Sequence, residues 1–308
     1  METHHIPVMV EEVCEALQIR DGGFYIDCTV GEGGHSQAIL DKATNVSVMG
    51  IDLDIESLLV AKRRLQKHSS RTIFANMNFA ELDVITNDHS VKYADGILFD
   101  LGLSSLQIDR GKRGFSFQQE AHLDMRFNQK QDTTAYQLVN HYSEDDLADI
   151  LWRFGEEPRS RKIARQIVRN RPIETTTELA KLVSRHAGRF TGRRVHPATR
   201  VFQAIRMMVN KELENIKRGI EHAINILDVG GRIVIISYHS IEDRLVKSIL
   251  KRAASTCVCD PLILQCACNH TQRLKLVHKR VITPHASEIT FNRRSRSAKM
   301  RVAESICK

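Results

Sequence analysis

The sequence predicts an α/β fold in which a doubly wound parallel sheet carries an inserted all-helical domain. Three observations predict it. A strand beginning at Phe24 breaks at Gly31, Gly33 and Gly34 and restarts as a helix at Ser36. Strand and helix patterns alternate over roughly the first hundred residues and again over the last hundred, which calls for parallel strands joined by crossover helices. Between them lie about 100 residues with helical periodicity and no convincing strand, the size of a small domain.

Residues 8–19 place Val10, Val13, Cys14 and Leu17 on one helical face. Phe24, Tyr25 and Ile26, aromatic and β-branched with no helical period, read as the first strand. The glycines that follow let the backbone reach unusual φ/ψ values, and free N–H groups at the next helix start offer hydrogen bonds. Ser36 stands where the last glycine of a G-x-G-x-x-G fingerprint would be, so the turn alone also reads as a tight connection without a ligand. Residues 46–52 form the second strand. Residues 55–68 form a helix with Leu58, Leu59, Ala61 and Leu65 inward. Residues 71–75 form the third strand, with Phe79 in the turn after it, and residues 94–100 form the fourth.

The insert reads as helices over 134–139, 144–154, 159–169, 176–187 and 197–209, with capping-box spacing at Ser143/Asp146 and Thr175/Glu178. Residues 210–227 form a long amphipathic helix with Leu213, Ile216, Ile220, Ala223, Ile224 and Leu227 on one side, ended by Gly230-Gly231. Residues 232–238 make the most apolar strand. A helix over 241–254 and strand candidates at 272–280 and 297–303 complete the chain. These boundaries predict a first sheet segment at 1–108, a helical insert at 109–208, and a second sheet segment at 209–308.

The chain has 308 residues, 42% hydrophobic and 27% charged, as expected of an ordinary globular protein. Residues 1–7 lack the form of a signal peptide, and no apolar run approaches a membrane span, so a cytoplasmic protein without membrane contact is expected. Net charge is +8. Residues 184–207 hold six arginines (185, 189, 193, 194, 200, 206) and no acid, and residues 273–301 hold nine Lys or Arg with Glu288 as the one acid. Two basic stretches on a mixed surface point to nucleic acid, a solvated basic face being the plainer alternative.

Acids recur at the ends of the first, second and fourth strands: Asp27, Asp52 and Asp100. Asp52 lies about twenty residues past the glycines, where nucleotide-binding α/β folds set a carboxylate on ribose hydroxyls. Gly102 relaxes the turn after Asp100, although Asp and Ser there are also ordinary helix caps. Three carboxylates in one crevice repel unless a cation, hydroxyls or amides share it. A sulfonium cofactor with a ribose diol fits better than a dinucleotide with two phosphates. His239, just past the strongest strand, reads equally as a pocket residue and as a hydrogen-bonded structural histidine. Cys257, Cys259, Cys266 and Cys268 form two C-x-C pairs, readable as a four-thiolate zinc site with His270 as a spare ligand or as free thiols in a surface loop. They carry no catalytic role, and no metal is assigned to the reaction.

The run from Asp27 to Ser36 resembles the first strand and turn of class I S-adenosylmethionine methyltransferases, which have a Rossmann-like sheet. More narrowly, the chain resembles the MraW family of bacterial 16S rRNA cytosine-N4 methyltransferases. The match is carried by residues 5–8 (His-Ile-Pro-Val), the Gly33-Gly34-His35 turn, 100–105 (Asp-Leu-Gly-Leu-Ser-Ser) and 113–117 (Arg-Gly-Phe-Ser-Phe). It continues through 123–126 (Leu-Asp-Met-Arg), 196–200 (His-Pro-Ala-Thr-Arg), 236–244 (Ile-Ser-Tyr-His-Ser-Ile-Glu-Asp-Arg) and 292–297 (Asn-Arg-Arg-Ser-Arg-Ser). The family often has proline where Leu106 stands and Asn-Pro-Arg where Asn292-Arg293-Arg294 stands.

This resemblance implies transfer of a methyl group from S-adenosyl-L-methionine to the N4 amine of a specific cytidine in the decoding region of 16S rRNA. It implies cofactor contacts at Gly33, Gly34, His35, Asp52, Phe79, Asp100 and Gln107. Asp100 and His239 are the expected catalytic residues. The expected partner is 16S rRNA within the small ribosomal subunit, with a homodimer open. A nicotinamide-dependent oxidoreductase, resting on the glycine turn and Asp52, and a non-catalytic RNA-binding assembly factor are the competing readings.

Overall fold

Alternation of apolar strands and amphipathic helices places the first hundred residues in a parallel sheet, seen in a computed structural model that describes residues 6–104, 107, 113–186, 196–260 and 265–307. Helix α1 (Val10–Leu17) precedes β1 (Phe24–Asp27), α2 (Gly34–Lys42), β2 (Ser47–Ile51), α3 (Ile55–Arg64), β3 (Thr72–Ala75), α4 (Leu82–Asp88) and β4 (Ala94–Asp100). The helical stretch holds α5 (Ala135–His141), α6 (Glu144–Gly155), α7 (Ser160–Arg169), α8 (Thr176–His186) and α9 (Ala198–Val209). Then come α10 (Glu212–Ile226), β5 (Leu227–Ser237), α11 (Ser240–Ala253), β6 (Leu274–Leu276), α12 (Ala286–Phe291) and β7 (Lys299–Ser305).

The seven strands form one sheet in the order β3-β2-β1-β4-β5-β7-β6. The first five are parallel, and β7 runs antiparallel to both β5 and β6. The order reverses between β1 and β4, and ligands of open α/β sheets bind beyond the carboxyl ends of strands at such a reversal. Tyr25, Ile26, Ile97, Leu98, Phe99 and Val234 are at most 1% exposed, because strands covered on both faces read as continuous apolar runs.

The chain divides into two units, residues 1–102 with 213–308, and residues 103–212. The second unit has its own core, built from Leu123, Met125, Leu138, Leu151, Ile163 and Ile205 among others. Phe115 stacks on Phe127 at 5.4 Å and Phe117 on His196 at 4.7 Å, so within this unit both rings pack against its own side chains. Thr175 and Glu178 cap α8 reciprocally, as their spacing predicts. Thr134 and Gln137 do the same for α5, a second capping box of T-x-x-Q form. Among the described residues no helix is long and apolar enough to cross a membrane.

Several expectations are corrected. Leu59 is 51% exposed: the inward face of α3 runs through Ser57, Leu58 and Ala61, and Leu59 is one hundred-degree step beyond it. Gly230-Gly231 does not end α10, which stops at Ile226. Gly230 has φ +80° inside β5, near the register shift between Ala94 and Gly96. Helices α4 and α12 were not foreseen, being short with few apolar positions, and β6 keeps only three of the nine residues expected. Residues 1–5, Ser105, Leu106, the 108/109 boundary and Arg189, Arg193 and Arg194 lie outside the described residues.

A Cβ built on Gly96 in β4 lies 2.7 Å from the Tyr25 ring and 2.9 Å from Leu17, both part of a rigid core. Gly96→Ala is therefore expected to lower unfolding free energy by about 1–3 kcal/mol, read by urea denaturation, because neither neighbour has room to retreat.

Candidate functional site

The acids that end β1, β2 and β4 have different surroundings. Asp27 is 1% exposed. One of its oxygens accepts from the Ser36 hydroxyl at 2.7 Å and the other from the Thr29 amide at 3.2 Å. Burial pushes its carboxyl up from the usual range, and His35, Ser36 and Thr29 draw it back. The expectation of three acids around one open crevice is corrected here: Asp27 turns inward and ties β1 to the start of α2.

Asp52 is the end of β2 brought against the glycine turn. Its Oδ2 accepts from the Gly31 amide and its Oδ1 from the Asp54 amide, each at 2.8 Å. Burial outweighs both bonds and pushes the carboxyl up to about 7. Each oxygen keeps a lone pair beyond its amide bond. A pair of adjacent hydroxyls is the matching donor set, because hydroxyl donors favour the charged form that burial disfavours.

Asp100 ends β4, and its amide donates to the Thr29 hydroxyl. Parallel register sets Asp100 beside Ile236 of β5, which puts Tyr238 two residues past that strand's pairing, at the same end of the sheet. The Tyr238 hydroxyl donates to Asp100 Oδ1 at 2.7 Å. Burial raises the Asp100 carboxyl, while His35 and the Tyr238 hydrogen bond lower it. His35 is 6% exposed. Its Nε2 donates to the Val8 carbonyl at 2.8 Å, and its Nδ1 stands 3.7 Å from Asp100 Oδ2. The carbonyl cannot donate, so Nε2 carries the hydrogen. Tyr238 and Thr29 are site residues that sequence reasoning missed. The one available signal was adjacency of the β4 and β5 ends in a parallel sheet.

The glycine turn is built for the protein's own packing as much as for a ligand. Gly33 has φ +80°, and a Cβ on it would lie 3.3 Å from Ala61 of α3. A Cβ on Gly34 would lie 2.8 Å from Pro7. Among the three glycines, Gly31 alone meets nothing nearer than the Thr29 carbonyl at 3.8 Å. Phe79 meets Phe99 edge-on at 5.5 Å, and a Cβ on Gly219 would lie 2.6 Å from its ring, so that glycine admits it. Gln107 belongs to the helical unit, where its Oε1 accepts from the Ser104 amide.

His239 is the N-cap of α11. Its Nδ1 accepts from the Glu242 amide at 3.3 Å, and its Nε2 faces Glu242 Oε1 at 2.9 Å. Glu242, fully buried, also accepts from the Tyr238 amide at 3.1 Å. Nδ1 thus serves the cap, which holds the turn presenting Tyr238. Of the two readings of His239, the geometry favours the structural one.

The sequence matches the model of the MraW methylase family over residues 2–306. It is 48% identical to a protein of Dehalococcoides mccartyi named ribosomal RNA small subunit methyltransferase H, covering 99% of this chain and 88% of that one. It is 46% identical to the protein of that name from Thermomicrobium roseum, covering 99% and 95%. Against the crystal structure of an rRNA methylase from Streptococcus thermophilus, identity is 12% and the TM-score 0.43, over 99% of this chain and 100% of that one.

Asp52 makes the stability of the chain depend on pH. Its carboxyl is raised in the folded state above an ordinary value near 4, so its contribution is complete below about pH 4 and is lost as pH rises through about 7. Urea unfolding at pH 5 and pH 8 is expected to show a fall in stability about 2–4 kcal/mol larger in the wild type than in Asp52→Asn. Equal pH slopes in the two proteins would refute this assignment.

Proposed function

The chain belongs to the MraW methylase family, and on that premise we propose that it methylates the N4 amine of a specific cytidine in 16S rRNA, using S-adenosyl-L-methionine. The observation that carries the chemical reading is half-buried Asp100 at the end of β4, held by the Tyr238 hydroxyl from the end of β5. The residues present suit the cofactor. Asp52 offers two carboxylate oxygens, already aligned by the Gly31 and Asp54 amides, to the ribose diol. Phe79, backed by Phe99, supports a contact with adenine. Gly33, Gly34 and His35 shape the turn between them.

When bound, S-adenosylmethionine supplies an electrophilic methyl group on a cationic sulfur. The chain's own task is to present the nucleophile. The cytosine amine is a poor one because its lone pair is delocalised into the ring. Asp100, accepting a hydrogen bond from N4–H, would orient that nitrogen and stabilise the positive charge it gains. Tyr238 fixes the carboxylate for this by engaging one oxygen and leaving lone pairs on both. The proton departs after transfer, so no strong general base is needed. His239, committed to its cap, acts as a positioning residue for Tyr238. The base must leave its stack to reach the strand ends, and the basic stretches supply phosphate contacts. We place the rRNA within the small ribosomal subunit when it is modified.

Incubation with labelled cofactor and small subunits from cells lacking the modification is expected to put label on one cytidine, located by mass mapping of the RNA. Asp100→Ala should lower kcat by about 10²–10³-fold, as loss of one preorganised hydrogen-bond partner of the transition state does. Tyr238→Phe should lower it less, with S-adenosylhomocysteine affinity little changed. Absence of transfer by the wild type to either free 16S rRNA or small subunits would overturn the proposal.

A further inference from the structure

The segment 254–273 joins α11 to β6, and none of its described residues is buried. A connection of this length whose described residues supply no core needs another source of order. Its two ends are pinned. The Arg273 amide donates to the Ala253 carbonyl and His270 Nε2 to the Arg252 carbonyl, both at 2.9 Å. Between these ends the two C-x-C pairs converge, and the sulfurs of Cys257, Cys259, Cys266 and Cys268 all lie within 4.8 Å of one another.

The spacing identifies what those sulfurs suit. Sγ separations are 3.4 Å for Cys257–Cys266, 3.8 Å for Cys257–Cys268, 4.0 Å for Cys259–Cys266 and 3.5 Å for Cys266–Cys268. A disulfide needs about 2.05 Å, so none of these pairs is bonded. Four sulfurs at about 2.3 Å from a central Zn²⁺ form a tetrahedron with edges of about 3.8 Å. The four separations bracket that edge. Main-chain N–H groups already point at the sulfurs, Val258 to Cys268 at 3.5 Å and Cys259 to Cys257 at 3.4 Å. Four thiols this close cannot all ionise by themselves, and a divalent cation removes that repulsion.

We propose that Cys257, Cys259, Cys266 and Cys268 bind one structural Zn²⁺ that staples the 254–273 segment. Binding exchanges up to four thiol protons for four Zn–S bonds, without any change of oxidation state. His270 stands outside the ligand set, since its ring is bonded to Arg252. The site is separate from the strand-end acids and stands whether or not the proposed methyl transfer does.

The test is metal content of the full-length protein, purified under reducing conditions without chelator. About one zinc per chain is expected in the wild type, and the same in His270→Ala and Cys307→Ser. Cys259→Ser and Cys268→Ser, one from each pair, should fall at least about tenfold. Cobalt added to the stripped wild-type protein should produce thiolate charge-transfer and intense visible bands of tetrahedral Co²⁺. Chelation should open 254–273 to protease and Cys257–Cys268 to alkylation while the rest of the chain stays folded. These wild-type readings hold even if a serine variant fails to fold. Substoichiometric metal after zinc addition, absence of the cobalt spectrum, or two disulfides in the reduced preparation would each overturn the proposal, as would loss of metal in His270→Ala.

Discussion

Seating carboxylates, one buried and two half-buried, at the ends of adjacent parallel strands is the constraint around which the sheet unit is arranged. An ionised acid removed from water is costly unless donors share its charge. Asp27 meets this with a hydroxyl and an amide of its own chain and becomes a strut. Asp52 meets it in part with two amides and remains raised. Asp100 leans on the Tyr238 hydroxyl and the nearby His35 ring. Asp27 is fully buried, whereas Asp52 and Asp100 keep partial exposure at their strand ends, where a perturbed acid is a candidate functional residue.

Around this constraint the surrounding elements act as supports. The Thr29 hydroxyl accepts the Asp100 amide, tying β1's turn to β4. His35 is held by the Val8 carbonyl, so residues ahead of α1 help set the ring facing Asp100. Glu242 and His239 close the first turn of α11 on the Tyr238 amide. Such support matters because an acceptor misplaced by about 1 Å forfeits much of its catalytic value. The glycines of the turn belong to the same scheme: Gly33 and Gly34 give way to Ala61 and Pro7, which seats the turn against α3 and the N-terminal segment.

The cysteine cluster answers a different shortage. Where the sheet unit holds its acids with backbone and side-chain donors, the 254–273 segment has no described buried side chain with which to hold itself. A metal staple is the physical alternative to a core in so short a segment. It stands on the far side of α11 in sequence from Tyr238, so one helix links the two arrangements.

Much of this was open to reading from the residues. Continuous apolar runs marked β1, β2, β4 and the body of β5, because a strand buried on both faces has no room for polar alternation. The glycine turn with an acid at the end of the next strand marked the carboxyl ends of the strands, beyond which open α/β sheets bind ligands. The all-helical insert followed from periodicity alone. Sequence by itself therefore determined the fold class and the strand ends at which acids gather, both consequences of local pattern. Only the tertiary structure decided which acids stay available. That choice turns on donors distant in the chain: Tyr238 lies 138 positions from Asp100, and Gly31 lies 21 from Asp52. It also settled His239 as a cap and the four cysteines as one cluster, because a hydrogen bond or a metal-ligand set depends on ångström distances that spacing along a chain does not specify.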